Sequence, residues 1–204
     1  MSPSTSMSAD PAEPAPQGRV RWRRFALLFV PAMAAAAVLV ALTTEGVLAA
    51  SISVSGSAFE VASSQLKGTG FEQFGGAVTD SKGNQHPVAI SAIKSASLAN
   101  LCQSVSVGPV TLRITAGGGG SPAKASNLIV DSDNLSGDAT FNNIVIGQDA
   151  GTLSEDPGVT GPPGGFGQQA DSVTIDNLHQ NTWLTTAGTF TLPGFNLSFG
   201  NACY

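Results

Sequence analysis

Ala96-Ser97-Leu98-Ala99-Asn100-Leu101, Ala139-Thr140-Phe141-Asn142-Asn143-Ile144 and Val173-Thr174-Ile175-Asp176-Asn177-Leu178 share one pattern: a small or β-branched residue, Ser or Thr, an apolar residue, any residue, Asn, and an apolar residue. Leu66-Lys67-Gly68, Leu135-Ser136-Gly137 and Leu192-Pro193-Gly194 echo its centre with Gly in place of Asn. Asn and Gly enter the left-handed backbone region at least cost, so each copy can bend a strand sharply with both flanking apolar residues turned inward. Corners of that kind build parallel β-helices, and they account for the Ser, Thr and Asn content. The Asn positions are 43 and 34 residues apart, irregular for a strict solenoid. A β-sandwich with Asn/Gly turns accounts for the same pattern. The expected fold is therefore all-β, either a short β-solenoid of parallel β-helix type or a β-sandwich. The 24 glycines and 12 prolines agree with many strands and turns.

Outward from these copies the chain alternates strand and turn. Ile52-Ser53-Val54-Ser55 alternates with period two and reads as a first strand continued by Phe59 and Val61, interrupted at Gly68, Gly70, Gly75 and Gly76. Asp80-Ser81-Lys82-Gly83-Asn84 is a turn by composition, and His86-Pro87 restarts the chain in extended form. Val88–Val105 fits two periods: Ile90, Ile93, Leu101 and Val105 could form a helical stripe, but the uncharged, Ser-rich opposite face favours strand. Val110–Ile114 is an alternating strand closed by Gly117–Gly120. Glu155–Gln169 is too rich in Pro and Gly for a regular element and reads as a mobile loop. Trp183, Phe190, Leu192, Phe195, Leu197 and Phe199 read as core.

Upstream, residues 1–18 hold too few apolar residues to bury a face and read as a disordered cytoplasmic tail. Residues 19–50 have the layout of an export signal: Arg19, Arg21, Arg23 and Arg24, then an uncharged run from Phe25 to Leu42, then small residues through Ala49-Ala50. As one apolar helix the run would reach about 27 Å, so it serves either as a signal peptide cleaved after Ala49 or Ala50 or as a transmembrane anchor. Both place residues 51–204, an extracytoplasmic β-rich domain, outside the cell, secreted or held in the cell membrane through residues 25–42.

That domain has five basic residues against eleven acids, a net charge of −6. Such a balance has no footprint for nucleic acid. Cys102 and Cys203 are the two cysteines, outside any C-x-x-C pair, and in an exported chain they read as a disulfide. Asp131-Ser132-Asp133 with Gly137-Asp138 resembles the start of a calcium loop but lacks its sixth-position glycine and twelfth-position acid. The glycine run lacks the Lys and Ser/Thr of a phosphate loop, and too few ligands are present for zinc. No metal site and no cofactor is expected. The nucleophile elbow G-x-S-x-G is missing, and His86 and His179 are the two histidines for general-base work.

Several stretches carry a resemblance: Arg23-Arg24-Phe25, Phe71-Glu72-Gln73-Phe74, His86-Pro87-Val88-Ala89, Asn100-Leu101-Cys102-Gln103-Ser104, Ala139–Ile144, Gln168-Gln169-Ala170-Asp171-Ser172, Thr186-Ala187-Gly188-Thr189-Phe190 and the terminal Cys203-Tyr204. On these the chain resembles an uncharacterised actinobacterial family of short exported proteins whose members are often labelled cholesterol esterase. Rungs of Ser, Thr and Asn with no convergent titratable groups point to a non-enzymatic envelope domain that binds an envelope or lipid ligand. The resemblance implies the alternative, a carboxylic ester hydrolase acting on sterol or lipid esters, with His86, Asp171, Ser91 and Ser172 as the residues to inspect.

Overall fold

The computed structural model describes residues 55–156 and 158–204. The tail at 1–18, the apolar run at 25–42 and the strand expected from Ile52 to Val54 lie outside them. The described residues form an all-β body of nine strands: β1 (Phe59–Thr79), β2 (Gln85–Ala99), β3 (Leu101–Val107), β4 (Val110–Ala116), β5 (Ala123–Asn142), β6 (Val145–Asp149), β7 (Phe166–Thr186), β8 (Thr189–Thr191) and β9 (Asn196–Phe199), with a single 3-10 turn at Ala150–Thr152.

Every pairing among these strands is antiparallel, and they join into one sheet. That corrects both expected architectures. A parallel β-helix stacks its rungs in parallel register, and a sandwich divides its strands between two sheets. Here β1 pairs β2, β2 pairs β5, β5 pairs β7, and β7 returns to β1, so the long strands bond as a ring. β3, β4 and β9 extend from one side of β1 as a flap.

The Asn corners are real, and they explain the ring. Asn100, Asn143 and Asn177 have φ of 49°, 54° and 51°, and Asn127, which the pattern missed, has φ 46°. Asn100 and Asn177 flank Ser64 of β1 from its two sides, in registers that run unbroken past it. Six residues along β1, Gly70 (φ 66°) faces Lys94 on one side and Asp171 on the other; Lys94 then faces Asn127, and Asp171 faces Asn143. Two transverse lines of corners thus cross the sheet, each bending neighbouring strands at one level.

A left-handed residue reverses the pleat, so side chains three positions apart across it point the same way rather than oppositely. Buried positions follow a 3-2-3 spacing: Ser63, Leu66, Gly68 and Phe71 in β1; Ile93, Ala96, Leu98 and Leu101 across β2 and β3; Ala170, Val173, Ile175 and Leu178 in β7. In each run one three-residue step crosses a left-handed residue (Gly70, Asn100 or Asn177), and the other crosses a position that faces one on a neighbouring strand. With Ala125, Leu128 and Val130 of β5 these make most of the main core. Of the glycine echoes, Gly137 and Gly194 have positive φ, whereas Gly68 does not. Gly68 is an approach point instead, since a Cβ there would stand 2.5 Å from Cγ2 of Ile93.

Five further expectations meet the structure as follows. Val88–Val105 is extended, as β2 and β3, and Asp80–Asn84 is the turn joining β1 to β2. Gly68, Gly70, Gly75 and Gly76 do not interrupt the first strand, because β1 runs through all four. The Pro/Gly loop before β7 is packed rather than free. Its Val159, with Ala150 and Leu153 just before it, covers Phe74, Gly161 N–H donates to Ala150 O at 2.9 Å, and its last residues, from Phe166 to Gln169, already belong to β7. Phe195, Leu197 and Phe199 are exposed rather than core, because β9 pairs only with β4 at the rim of the flap.

Candidate functional site

His86 stands on β2 opposite Val78, with its ring stacked on Trp183 at 3.8 Å between centroids. Its Nε2 is 3.3 Å from Oδ2 of the buried Asp80. The Asn84 side-chain amide, then its backbone N–H, with His86 and the Lys82 N–H, hold the Asp80 carboxyl well below the usual carboxylate range. On the far side of the indole, Trp183 Nε1 donates to Asp133 at 3.0 Å, and Asn181 donates to both oxygens of the same carboxylate. The turn around Asp80 was legible in sequence. Trp183, about a hundred residues further on, gave no signal of being its neighbour.

The other candidates lie elsewhere, each with a local partner. Ser91 is buried and accepts from Gln73 Nε2 at 2.8 Å. Asp171 accepts from the corner residue Asn143 at 2.6 Å, and Ser172 from Asn142 at 2.8 Å. Measured along β1, His86 sits at Val78, Ser91 at Gln73, Asp171 at Gly70 and Ser172 at Thr69. At ~3.3 Å per residue, His86 and Asp171 are separated by roughly 26 Å of strand. His86 and Ser91 are an odd number of residues apart on one strand and so face opposite sides. These residues form no nucleophile–base–acid array. The cavity inside the main core, lined among others by Leu101, Leu178, Ser91 and Thr185, measures about 30 Å³. That is room for a water, against the roughly 300 Å³ or more that a drug-sized apolar ligand needs.

A different surface is built more regularly. Between the two corner lines, on the side away from the core, two rows of polar side chains cross six strand segments. One row is Thr140, Thr174, Lys67, Ser97, Lys124 and Thr191; the other is Asn142, Ser172, Thr69, Ser95, Ser126 and Thr189. β5 enters twice, its two halves pairing different neighbours. All twelve are exposed or half-buried, and none is acidic. Neighbours in a row stand about 4.8 Å apart by strand spacing. Ser126 and Thr189 hydroxyls meet at 2.7 Å. The rows border an open depression of about 480 Å³ that passes over Gly68 and Ala96 and is flanked by Lys67 and Lys124. Sequence reasoning noticed the Ser/Thr/Asn content but not the rows, which appear only once the registers are known.

The model for a family of unknown function, DUF6230, matches residues 55–204, the whole of the body that carries these rows. The chain belongs to the DUF6230 family. No curated protein and no solved structure matches it. The family description assigns no activity, so the function of the DUF6230 domain is argued from its surface.

One buried feature beside this surface titrates. Glu72 is 0% exposed; its Oε1 accepts from the Asp156 N–H at 2.7 Å, while Oε2 has no partner. Burial pushes its carboxyl above the ordinary range, against the lowering effect of the Asp156 and Glu155 N–H groups and with help from those two carboxylates. Asp156 is raised for the same reason, partly offset by Lys94. A carboxyl whose folded pKa exceeds its unfolded one opposes folding when ionised: its penalty is absent below the unfolded pKa and complete above the folded one. Glu72→Gln in the DUF6230 domain is therefore expected to raise the melting temperature at pH 7 and to lose that advantage near pH 4, as calorimetry at the two pH values would read.

Proposed function

We propose that this is an exported, non-enzymatic envelope module that uses the hydroxyl and lysine rows over β7, β1, β2 and β5 to bind an acidic, hydroxyl-bearing polymer of the cell exterior. Export is argued from the arginine-fronted apolar run at 19–50 and from cysteines that suit an oxidising compartment. The observation that carries the binding reading is the pair of rows itself: twelve exposed or half-buried side chains in strict register, with two lysines and no acid among them, bordered on the same face by the row that holds Asp138 and Asp176, whose carboxylate accepts from Gln65. Hydroxyls both donate and accept, which suits a chain of sugar hydroxyls, and Lys67 and Lys124 suit its anionic groups. Single surface ion contacts are weak, about 0–1 kcal/mol each, so affinity must come from repetition along a polymer.

Retention of the full-length chain on polygalacturonate resin and on uncharged dextran resin tests this. We expect retention on the first alone, falling about tenfold in the Lys67→Ser, Lys124→Ser double variant. Equal retention on both resins, or a variant that binds unchanged, refutes it.

The rival reading, hydrolysis of sterol or lipid esters, has one observation in its favour, the Asp80–His86 contact that resembles the acid–base half of a triad. Among the described residues no hydroxyl bonds to His86, and the core cavity of about 30 Å³ has no space for an acyl chain. Turnover of p-nitrophenyl acyl esters that disappears in His86→Ala would reverse the choice between the two.

A further inference from the structure

The flap formed by β3, β4 and β9 is two-faced. One side carries Glu60, Ser104, Arg113 and Ser198 in a row, with Cys102, Thr115 and Asn196 beside it. The other carries Phe59, Val105, Leu112 and Phe199, then Ile114 and Leu197, and ends at the hairpin tip in the pair Val107–Val110. At that end the apolar residues are uncovered: Phe199 is 72% exposed, Val107 69%, Leu197 50% and Val110 47%. Scattered exposed aliphatics are ordinary, but a contiguous set on one sheet face marks an interaction surface.

We infer that this face rests in the outer surface of a lipid bilayer, with the Val107-Gly108-Pro109-Val110 tip and Phe199 in its interfacial layer. The inference depends on the reading that residues 25–42 hold the chain at a membrane. Three observations favour a bilayer over other occupants. The described body begins at Ser55, and Phe59 at the start of β1 lies against Val105 and Leu112 of the apolar face, so the first strand of the body starts at this face. Leu42 precedes Phe59 by 17 residues, a reach of about 60 Å at most, which keeps the flap near the membrane that would hold that run. No charge occurs from Gln103 to Leu112 or in β9, and the Ser106 and Thr111 hydroxyls satisfy each other at 2.8 Å, so the tip enters the interface without burying an ion. The unpaired backbone of β9 keeps water and headgroup partners at that depth.

The test uses the full-length chain reconstituted with phosphatidylcholine vesicles carrying brominated acyl chains. Phe199→Trp and, as the control in the hydroxyl rows, Thr191→Trp are compared after subtracting the parent emission of Trp22 and Trp183. We expect blue-shifted emission at position 199, quenched at least about twofold more than at position 191. A chain that floats with the vesicles but shows no excess quenching at 199 overturns this inference and leaves the membrane anchor standing. A chain that stays in the soluble fraction overturns the anchor, and the inference with it. A blue shift that grows with protein concentration without bromine quenching assigns the face to a second copy and also overturns it.

Discussion

Asn177→Ala is expected to lower the unfolding free energy by about 2 kcal/mol, and Asn177→Gly by about half of that. Two contributions make up the first figure. An L-residue other than Asn or Asp held in the left-handed region costs roughly 1–2 kcal/mol, and φ at this position is 51°. The Asn177 amide also donates to Asp138 at 3.2 Å, a bond worth about 0.5–1.5 kcal/mol at most and less here because it is exposed. Glycine removes the second contribution while sparing the first, which is why its variant should fall between. Asn142, one residue before a corner and in ordinary strand conformation, is the control: Asn142→Ala gives up an exposed hydrogen bond to Ser172 but no left-handed backbone, so it should cost less than about 1 kcal/mol. Urea midpoints for the three variants check the ordering. If Asn177→Gly were as damaging as Asn177→Ala, backbone handedness would not be what the asparagine supplies.

Those corners show how far sequence could take the fold. Three copies of the motif named Asn100, Asn143 and Asn177, and all three bend the chain as expected because the preference for left-handed backbone is local to the residue. Which strands the corners align is not local. β1 and β7 pair across about a hundred residues, and nothing in either stretch names the other. The parallel-helix expectation arose from a true feature placed in the wrong frame. The two transverse lines stand six residues apart along each strand, at 64 and 70, 94 and 100, 137 and 143, and 171 and 177, with a left-handed residue at Gly70, Asn100, Gly137, Asn143 and Asn177, and a six-residue repeat is what a stacked solenoid would show. They recur within strands that run antiparallel. The same 3-2-3 burial made Val88–Val105 look partly helical, because a three-residue step between buried positions is common to a corner and to a helix. Exposure of Phe195, Leu197 and Phe199 was hidden for a complementary reason: alternation identifies a strand but not whether anything covers it.

The site was less legible than the fold. His86, Ser91, Asp171 and Ser172 were singled out by chemistry, and chemistry does not place them. Their positions along β1 put them at four levels, so each found a nearby amide, carboxylate or ring instead of one another. The rows had the opposite difficulty. Lys67-x-Thr69, Ser95-x-Ser97, Lys124-x-Ser126, Thr140-x-Asn142, Ser172-x-Thr174 and Thr189-x-Thr191 are ordinary as isolated strand faces. Only the registers bring six such pairs into a single surface, and that juxtaposition gives them a binding role that no pair has alone.

The cross-link between Cys102 and Cys203 has the largest expected effect on stability. Their Sγ atoms lie at bonding distance, with Cα atoms 5.9 Å apart, and the closed loop spans 101 residues of sequence. Constraining an unfolded chain over that length is worth up to about 4–5 kcal/mol, and native disulfides commonly give about 2–5. The Cys102→Ser, Cys203→Ser double variant is therefore expected to lose about 4 kcal/mol, close to half the stability of an ordinary domain. The loss should appear in stability before it appears in shape, because the tail has other holds. The Cys203 N–H donates to Ser104 Oγ at 3.0 Å and to Glu60 at 3.3 Å, while the Tyr204 hydroxyl donates to Gln180 O and its ring stacks on His179. β9 pairs with β4 through only four residues, so it should fray first once the covalent tie is gone. Denaturant midpoints with and without reductant provide the measurement. Reduced wild type should coincide with the double variant, and Tyr204→Ala should cost about a further 1 kcal/mol in the variant background, where the tail depends on its hydrogen bonds and the stacked ring alone. A wild-type midpoint indifferent to reductant would mean that the bond is not formed, and the tail would then be held by the β4–β9 pairing and by the contacts of Cys203 and Tyr204 alone.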